Sequence, residues 1–221
     1  MRTAHLTLVL SLLLLPAAAS ATFSWDIPHQ GSVNDMFEIE AFHTFVTNTG
    51  SQPDTVMVHL VKEMPAGWVG SLCESILCYP PFILDIDLIL NPGQTTELIM
   101  DLTPVGVAGT GVMHITLTSK NNPADTTNSD FTVASSGQDV LFIFGAGLSS
   151  SFYTNAITAA GHTFTAWDQS AMGKVRPVDL ARFGTVIWGS GATANSITAA
   201  DMTNLDAYLA GGGHPVVSRQ N

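Results

Sequence analysis

Cysteine is almost missing from this chain: Cys73 and Cys78 are its only two. The pair of distant core cysteines that marks antibody domains is therefore absent. No thiol after residue 78 remains to serve as a nucleophile. Charge is scarce as well. Only 11% of residues are charged, and 18 acidic side chains against 7 basic ones leave a formal net charge of −11. That balance repels nucleic acid and anionic lipid, so neither is expected as a partner. After the first 21 residues no apolar stretch approaches the ~20 residues needed to cross a bilayer. No transmembrane segment is expected once the leader has been removed.

The leader is the clearest signal present. Arg2 supplies a positive start, residues 6–15 form an almost unbroken apolar run, and Pro16 breaks it before a run of small residues. Ala19-Ser20-Ala21 fits an A-x-A cleavage site, which places the mature N-terminus at Thr22 and the protein in an exported compartment (periplasmic, cell-surface or extracellular). No cysteine follows the leader, so lipidation there is excluded. In an oxidising compartment Cys73 and Cys78 are expected to pair. Their spacing is C-x4-C rather than C-x-x-C and no helix start follows, which argues against a redox-active pair. Without a nearby pair of histidines a zinc site is not expected either.

From Thr22 to about Ala134 the chain reads as strands separated by turns. Val56, Val58 and Leu60 alternate with their neighbours, as do Ile86, Leu88 and Leu90, Leu98, Met100 and Leu102, and Met113, Ile115 and Leu117. A period of two marks strands with one face in a core. Turn chemistry separates them at Asn48-Thr-Gly-Ser-Gln-Pro53, Met64-Pro-Ala-Gly67, Asn91-Pro-Gly93 and Asn121-Asn-Pro123. The predicted architecture is an antiparallel sandwich. The order Asn48-Thr-Gly50, Pro65-Ala-Gly-Trp68, Leu90-Asn-Pro-Gly93, Gly109-Thr-Gly111 and Ile115-Thr-Leu-Thr-Ser119 resembles bacterial extracellular immunoglobulin-like modules. That resemblance implies a module that sits beside catalytic or adhesive domains in a large secreted protein.

Ser135-Ser-Gly-Gln138 reads as a linker, after which the periodicity changes. Residues 139–144 form a continuous apolar run, as in a parallel strand buried on both faces. A helix follows with Phe152, Ala156, Ile157 and Ala160 on one face, ended by Gly161. A second strand covers residues 163–167, Pro177 opens a short helix, and residues 185–188 form a third strand. Thr198 and Asp201 predict a capping box, with Ile197 and Met202 as the staple, Met202, Leu205 and Leu209 facing inward, and Gly211 as the stop. Residues 214–218 form a fourth strand, and Pro215 restricts it to an edge or a strand start. Alternating strands and helices predict a parallel sheet.

This half resembles the class I glutamine amidotransferase-like, flavodoxin-like modules of secreted bacterial proteins. The residues that carry the resemblance are Asp139-Val-Leu-Phe-Ile-Phe144, Phe152-Tyr153, Ala166-Trp167-Asp168, Thr185-Val-Ile-Trp188-Gly189, Leu209-Ala-Gly-Gly-Gly213 and Val216-Val-Ser218. Complete members continue through a further strand and helix, so the resemblance implies an incomplete module over residues 139–221. The expected fold class is thus two domains: an all-β immunoglobulin-like sandwich over residues 22–134, then an α/β three-layer parallel-sheet half-module.

The enzymes of that family use a cysteine nucleophile, which this chain lacks. Ser218 has no flanking glycines of a nucleophile elbow. Gly145 and Gly147 resemble a phosphate cradle but lack the third glycine of a dinucleotide fingerprint, and Asp168 at the second strand's end has no assigned ribose role. His43, His59 and His114 on one sheet would suit a transition metal. Asp85 and Asp87 share a strand face that would suit calcium or acid–base work. Trp68, Tyr79 and Phe82 near the cysteine loop would suit a sugar or peptide platform. For each of these the blander reading is a turn, an exposed side chain or local core. No catalytic, cofactor or metal residue is assigned, and no cofactor is expected. The leading expectation is a non-catalytic exported module pair that docks with other domains or with extracellular protein or glycan. The alternatives are an accessory region of a secreted hydrolase and a carbohydrate-binding sandwich.

Overall fold

The computed structural model describes residues 22–145, 148–190 and 197–219. The apolar leader with its A-x-A site, and Gly147, lie outside the described residues. The N-terminal part contains β1 (Phe23–Asp26), β2 (Gly31–Asn34), β3 (Glu40–Asn48), β4 (Asp54–Glu63), β5 (Val69–Glu74), β6 (Leu77–Cys78), β7 (Asp85–Leu90), β8 (Thr95–Thr103), β9 (Thr110–Ser119) and β10 (Thr126–Ser135). They form two five-stranded sheets, ordered β1-β3-β8-β5-β6 and β2-β10-β9-β4-β7. Every pairing is antiparallel except that of β2 with β10.

Alternation is what closes these sheets on each other. Val56, Val58 and Leu60 of β4, Leu98, Met100 and Leu102 of β8, and Met113, Ile115 and Leu117 of β9 are all buried in one core. Trp25, Phe42 and Phe131 stack across it with tilted rings 5.8 and 5.3 Å apart between centroids. Two antiparallel sheets joined by one apolar layer make an immunoglobulin-like β-sandwich.

The C-terminal part runs β11 (Val140–Phe144), α1 (Ser150–Ala159), β12 (Phe164–Asp168), α2 (Gln169–Met172), α3 (Pro177–Leu180), β13 (Thr185–Ser190), α4 (Ala199–Ala210) and β14 (His214–Arg219). Its sheet is parallel throughout, in the order β12-β11-β13-β14. One face carries Val140 and Phe142 against Ile157 and Tyr153 of α1. The other carries Leu141, Ile143, Trp167, Val186 and Trp188 against Leu180, Leu205 and Tyr208. Trp167 and Trp188 flank β11, with Ile143 between them in register.

The helix faces also differ from expectation. Phe152 is 70% exposed and Tyr153 packs in its place, while Met202 and Leu209 are half-exposed. In α4 the inward face is Asp201, Leu205 and Tyr208, and Asp201 is buried because it completes the capping box with Thr198. That box was legible in sequence; the rotation of the helix around it was not. The helix does not turn left-handed at Gly211. Gly212 takes φ +88°, and Gly213 lets the Tyr208 ring lie where a Cβ would sit. β14 is the free edge of the sheet, which accommodates Pro215, and Val216 and Val217 are half-exposed on it.

The two parts meet across β2. All four of its residues are buried, and Val33 belongs to the α/β core rather than to the sandwich core. Gly31 lies directly under α2, where an added Cβ would come within 2.6 Å of the Met172 carbonyl oxygen and 2.7 Å of its Cβ. The Val33 N–H donates to Asp179 Oδ1 at 2.8 Å. Arg182 spans to Asp35 at 3.0 Å and Glu38 at 2.6 Å. The segment joining β10 to β11 is tied down as well, with Ser136 N–H donating to the Asn34 carbonyl and its hydroxyl to Asp35.

Gly31→Ala is therefore expected to destabilise the protein by about 1–3 kcal/mol through overpacking. Gly184→Ala, with nothing within 4 Å of the added Cβ, is the near-neutral control. Urea titration followed by tryptophan fluorescence separates the two.

Candidate functional site

In an open parallel sheet ligands bind outside the carboxyl ends of the strands, where the strand order reverses. Here β11 leads to β12 on one side and the chain then crosses to β13 on the other, so the reversal lies between β11 and β13. Among the described residues this end presents Gly145, Tyr153, Asp168, Gln169, Ser190 and Ser218. Gly145 is open, since an added Cβ would meet only Gln169 Oε1, at 3.8 Å. Asp168 is the N-cap of α2 and accepts the Ser170 N–H at 2.8 Å. Ser218 lies within β14, not on a turn, and its hydroxyl is 3.0 Å from the Tyr153 hydroxyl. The carboxylate and the serine are thus held in structural bonds, and among the described residues the hydrogen-bond partner of the Ser218 hydroxyl is Tyr153.

The sandwich candidates are dispersed. Trp68 is buried, only 7% exposed, and its Nε1 donates to the Val107 carbonyl at 2.8 Å. Tyr79 packs against the same core, whereas Phe82 is exposed. The three aromatics that would suit a shared platform therefore face different surroundings. The three histidines do not share a sheet. His43 is on β3, while His59 and His114 are on β4 and β9 of the opposite sheet. Each lies against a carboxylate: His43 against Glu97 at 2.7 Å, His59 against Asp85 at 2.7 Å, and His114 against Asp130 at 2.8 Å. The hydrogen bond to Asp130 raises the His114 pKa from its ordinary value, with Glu63 adding to it. Asp87 accepts from Lys120 at 2.6 Å, which separates it in role from Asp85.

Cys73 and Cys78 stand opposite each other in the β5–β6 ladder and form a disulfide. Asp101, which no sequence pattern singled out, lies 3.4 Å from the Cys73 sulfur. These three are the set among the described residues whose metal-ligand atom types come within 4.8 Å of one another. Both sulfurs are spent on the S–S bond and offer no thiolate. Burial raises the Asp101 pKa, and the charge of His43 only partly offsets it.

The densest polar cluster is at the junction. Asp179 is fully buried and accepts from the Val33 N–H, the Arg176 N–H, and Arg176 Nε and Nη2, at 2.8 to 3.2 Å. Arg176 also donates to the Ser32 hydroxyl at 2.7 Å and lies 3.6 Å from Glu40. Glu40 in turn meets His29 at 3.0 Å and accepts from Ser32 at 2.6 Å. Burial alone would raise the Glu40 pKa; the hydrogen bonds from His29 and Ser32 and the Arg176 charge overcome it and hold it low. The signal available in sequence was the scarcity of cations: Arg176 and Arg182 are two of only four arginines.

No family model matches the chain, and no curated protein matches it in sequence. Similar solved structures include the N-terminal domain of PorA, 15% identical, covering 52% of this chain and 98% of that one, with a TM-score of 0.40. Another is Salmonella alpha-2-macroglobulin reacted with methylamine, 16% identical over 52% of this chain and 7% of that one, with a TM-score of 0.37. The ASH/PapD-like domain of human CEP192 is 14% identical over 61% of this chain and 94% of that one, with a TM-score of 0.33. The likeness is one of β-sandwich architecture and goes no further.

Two outcomes are expected. Because the folded pKa of Glu40 is depressed, its contribution to stability is complete above the unfolded value near 4.5 and is lost as pH falls through the folded value. The melting temperature of the native protein should therefore drop on acidification through that window, and the Glu40→Gln variant should show a shallower drop in near-UV circular dichroism melts. Replacing both cysteines by serine should cost about 2 kcal/mol in the chain-entropy view of so short a loop. Denaturant midpoints under non-reducing conditions read that loss.

Proposed function

We propose that this chain is a non-catalytic, exported two-part unit that holds and presents other domains of a larger protein at a fixed orientation. The observation that carries the reading is the junction. A rigid spacer needs its parts to move together, and a backbone N–H of β2 bonded to a buried carboxylate on α3 supplies that constraint. Val33 of the sandwich strand in the α/β core, and salt bridges from Arg182 to the segment after β2, support it further. The flavodoxin-like reading of the second part draws support from its strand order, which matches the first four positions of a 2-1-3-4-5 arrangement. The non-catalytic reading draws on the way Asp168, Ser218, Asp85, Asp87 and the histidines are each committed to a neighbour.

Limited proteolysis tests the reading. The segment between Ser136 and Asp139 should resist cleavage in the native protein. In the Arg176→Leu/Asp179→Leu double variant, which removes the acceptor of the Val33 N–H together with its guanidinium partner, cleavage there should accelerate about tenfold or more as the open form is populated. Equal rates in both proteins would show that the junction does not hold the parts together. Turnover of ester, peptide or glycoside substrates by the purified native protein would refute the non-catalytic reading.

A further inference from the structure

Thr22 is held at both ends of its backbone. Its carbonyl accepts from the N–H groups of Thr49 at 3.0 Å and Gly50 at 3.2 Å. Its N–H and its hydroxyl both donate to one oxygen of Asp125, the hydroxyl at 2.7 Å. Asp125 sits in the turn between β9 and β10 and is itself fixed, its N–H donating to the Asn122 carbonyl at 2.8 Å and its carbonyl accepting from Ser119 at 3.1 Å. Among the described residues no side-chain cation pairs with this carboxylate, and Lys120 is engaged with Asp87. The other acid nearby, Asp54, is occupied by Ser119, Thr55 and Asn121. Beside Thr22 opens a polar cavity of about 510 Å³, lined by Thr22, Asn48, Gly50, Gln52, Asp54 and Asn122 among others.

Thr22 is also the residue that follows the small-residue motif Ala19-Ser20-Ala21. We propose that Asp125 is the receptor for the α-ammonium group of Thr22 that leader removal creates, so that processing itself locks the first strand onto the sandwich. This rests on the leader reading above. Hydrolysis of the Ala21–Thr22 amide by a leader peptidase adds one water, leaving a carboxylate on Ala21 and an ammonium on Thr22. The neutral N–H donor at Asp125 thereby becomes a cation, and a hydrogen bond becomes a charge-assisted ion pair, about twice as strong. The strand it secures is β1, whose pairing with β3 starts at Phe23 opposite Asn48.

The test uses the full chain, leader included, expressed in a secreting bacterium and purified from the exported fraction. Intact mass fixes the N-terminus. A second version carries a Gly-Gln insertion between Ala21 and Thr22, which moves the ammonium away and restores an amide at Thr22. Asp125→Asn is made in both. The native product should melt about 3–6 °C above the inserted one at neutral pH, from the size of charge-assisted bonds and of this chain. Asp125→Asn should cause a similar drop in the native product and a clearly smaller one in the inserted product.

Should Asp125→Asn fail to fold, pH decides with the native pair alone. An α-ammonium paired with Asp125 has a raised pKa, so its stabilisation is complete below about pH 8, the ordinary α-amino value, and is lost as pH rises through the folded value. The melting gap between native and inserted products should close there. A terminus at Thr22 with equal Asp125→Asn losses in both backgrounds, or a gap unchanged with pH, overturns the receptor role and leaves the leader reading standing. A product that retains Met1, or one cut elsewhere, overturns both.

Discussion

A buried carboxylate is costly unless hydrogen-bond donors and an opposite charge meet it. Asp179 meets that requirement with donors from two places far apart in the sequence: Arg176 three residues before it, and the Val33 backbone in a strand of the sandwich. Arg176 reaches both oxygens through Nε and Nη2, and the Val33 N–H adds a second bond to Oδ1. Separating the α/β part from the sandwich would remove that second bond and leave the Val33 N–H without its acceptor. The burial of Val33 and the close approach of Gly31 to Met172 lie at the same junction.

The same economy appears elsewhere in this charge-poor chain. Asp201 is buried at the start of α4 and is offset by the Thr198 cap and Lys174. These groups hold its pKa below the ordinary carboxylate value against the opposing effect of burial. Few ions are used, and those that are buried fix an element to its neighbour. A surface with little charge leaves the junction acids Asp35, Glu38 and Glu40 as a local concentration that the two junction arginines answer.

What was legible in sequence was local and periodic. The alternation in β4, β8 and β9 announced the inward faces because a strand's side chains have a strict period of two. The capping box of α4 and the short helix opened by Pro177 were legible for the same reason, since their partners are three residues away. The junction was not. Gly31-Ser-Val-Asn34 has neither the length nor the alternation of a strand, and its pairing with β10 spans about a hundred residues. The faces of α1 and α4 differ from expectation at Phe152, Met202 and Leu209 because each helix lays one side on a sheet face and buries only a narrow stripe. Trp68 is buried in the sandwich core, the blander of the two readings its sequence context allows.

The parallel pairing of β2 with β10 has a consequence for the order of events during synthesis. β2 leaves the ribosome early, yet the strand that receives it is complete only when Ser135 has emerged. Until then β2 has no strand to pair with, and the core that Val33 enters comes later still, with the α/β part. The sandwich must therefore finish before its companion can settle, and a chain that stalled near residue 130 would leave β2 without its partner strand.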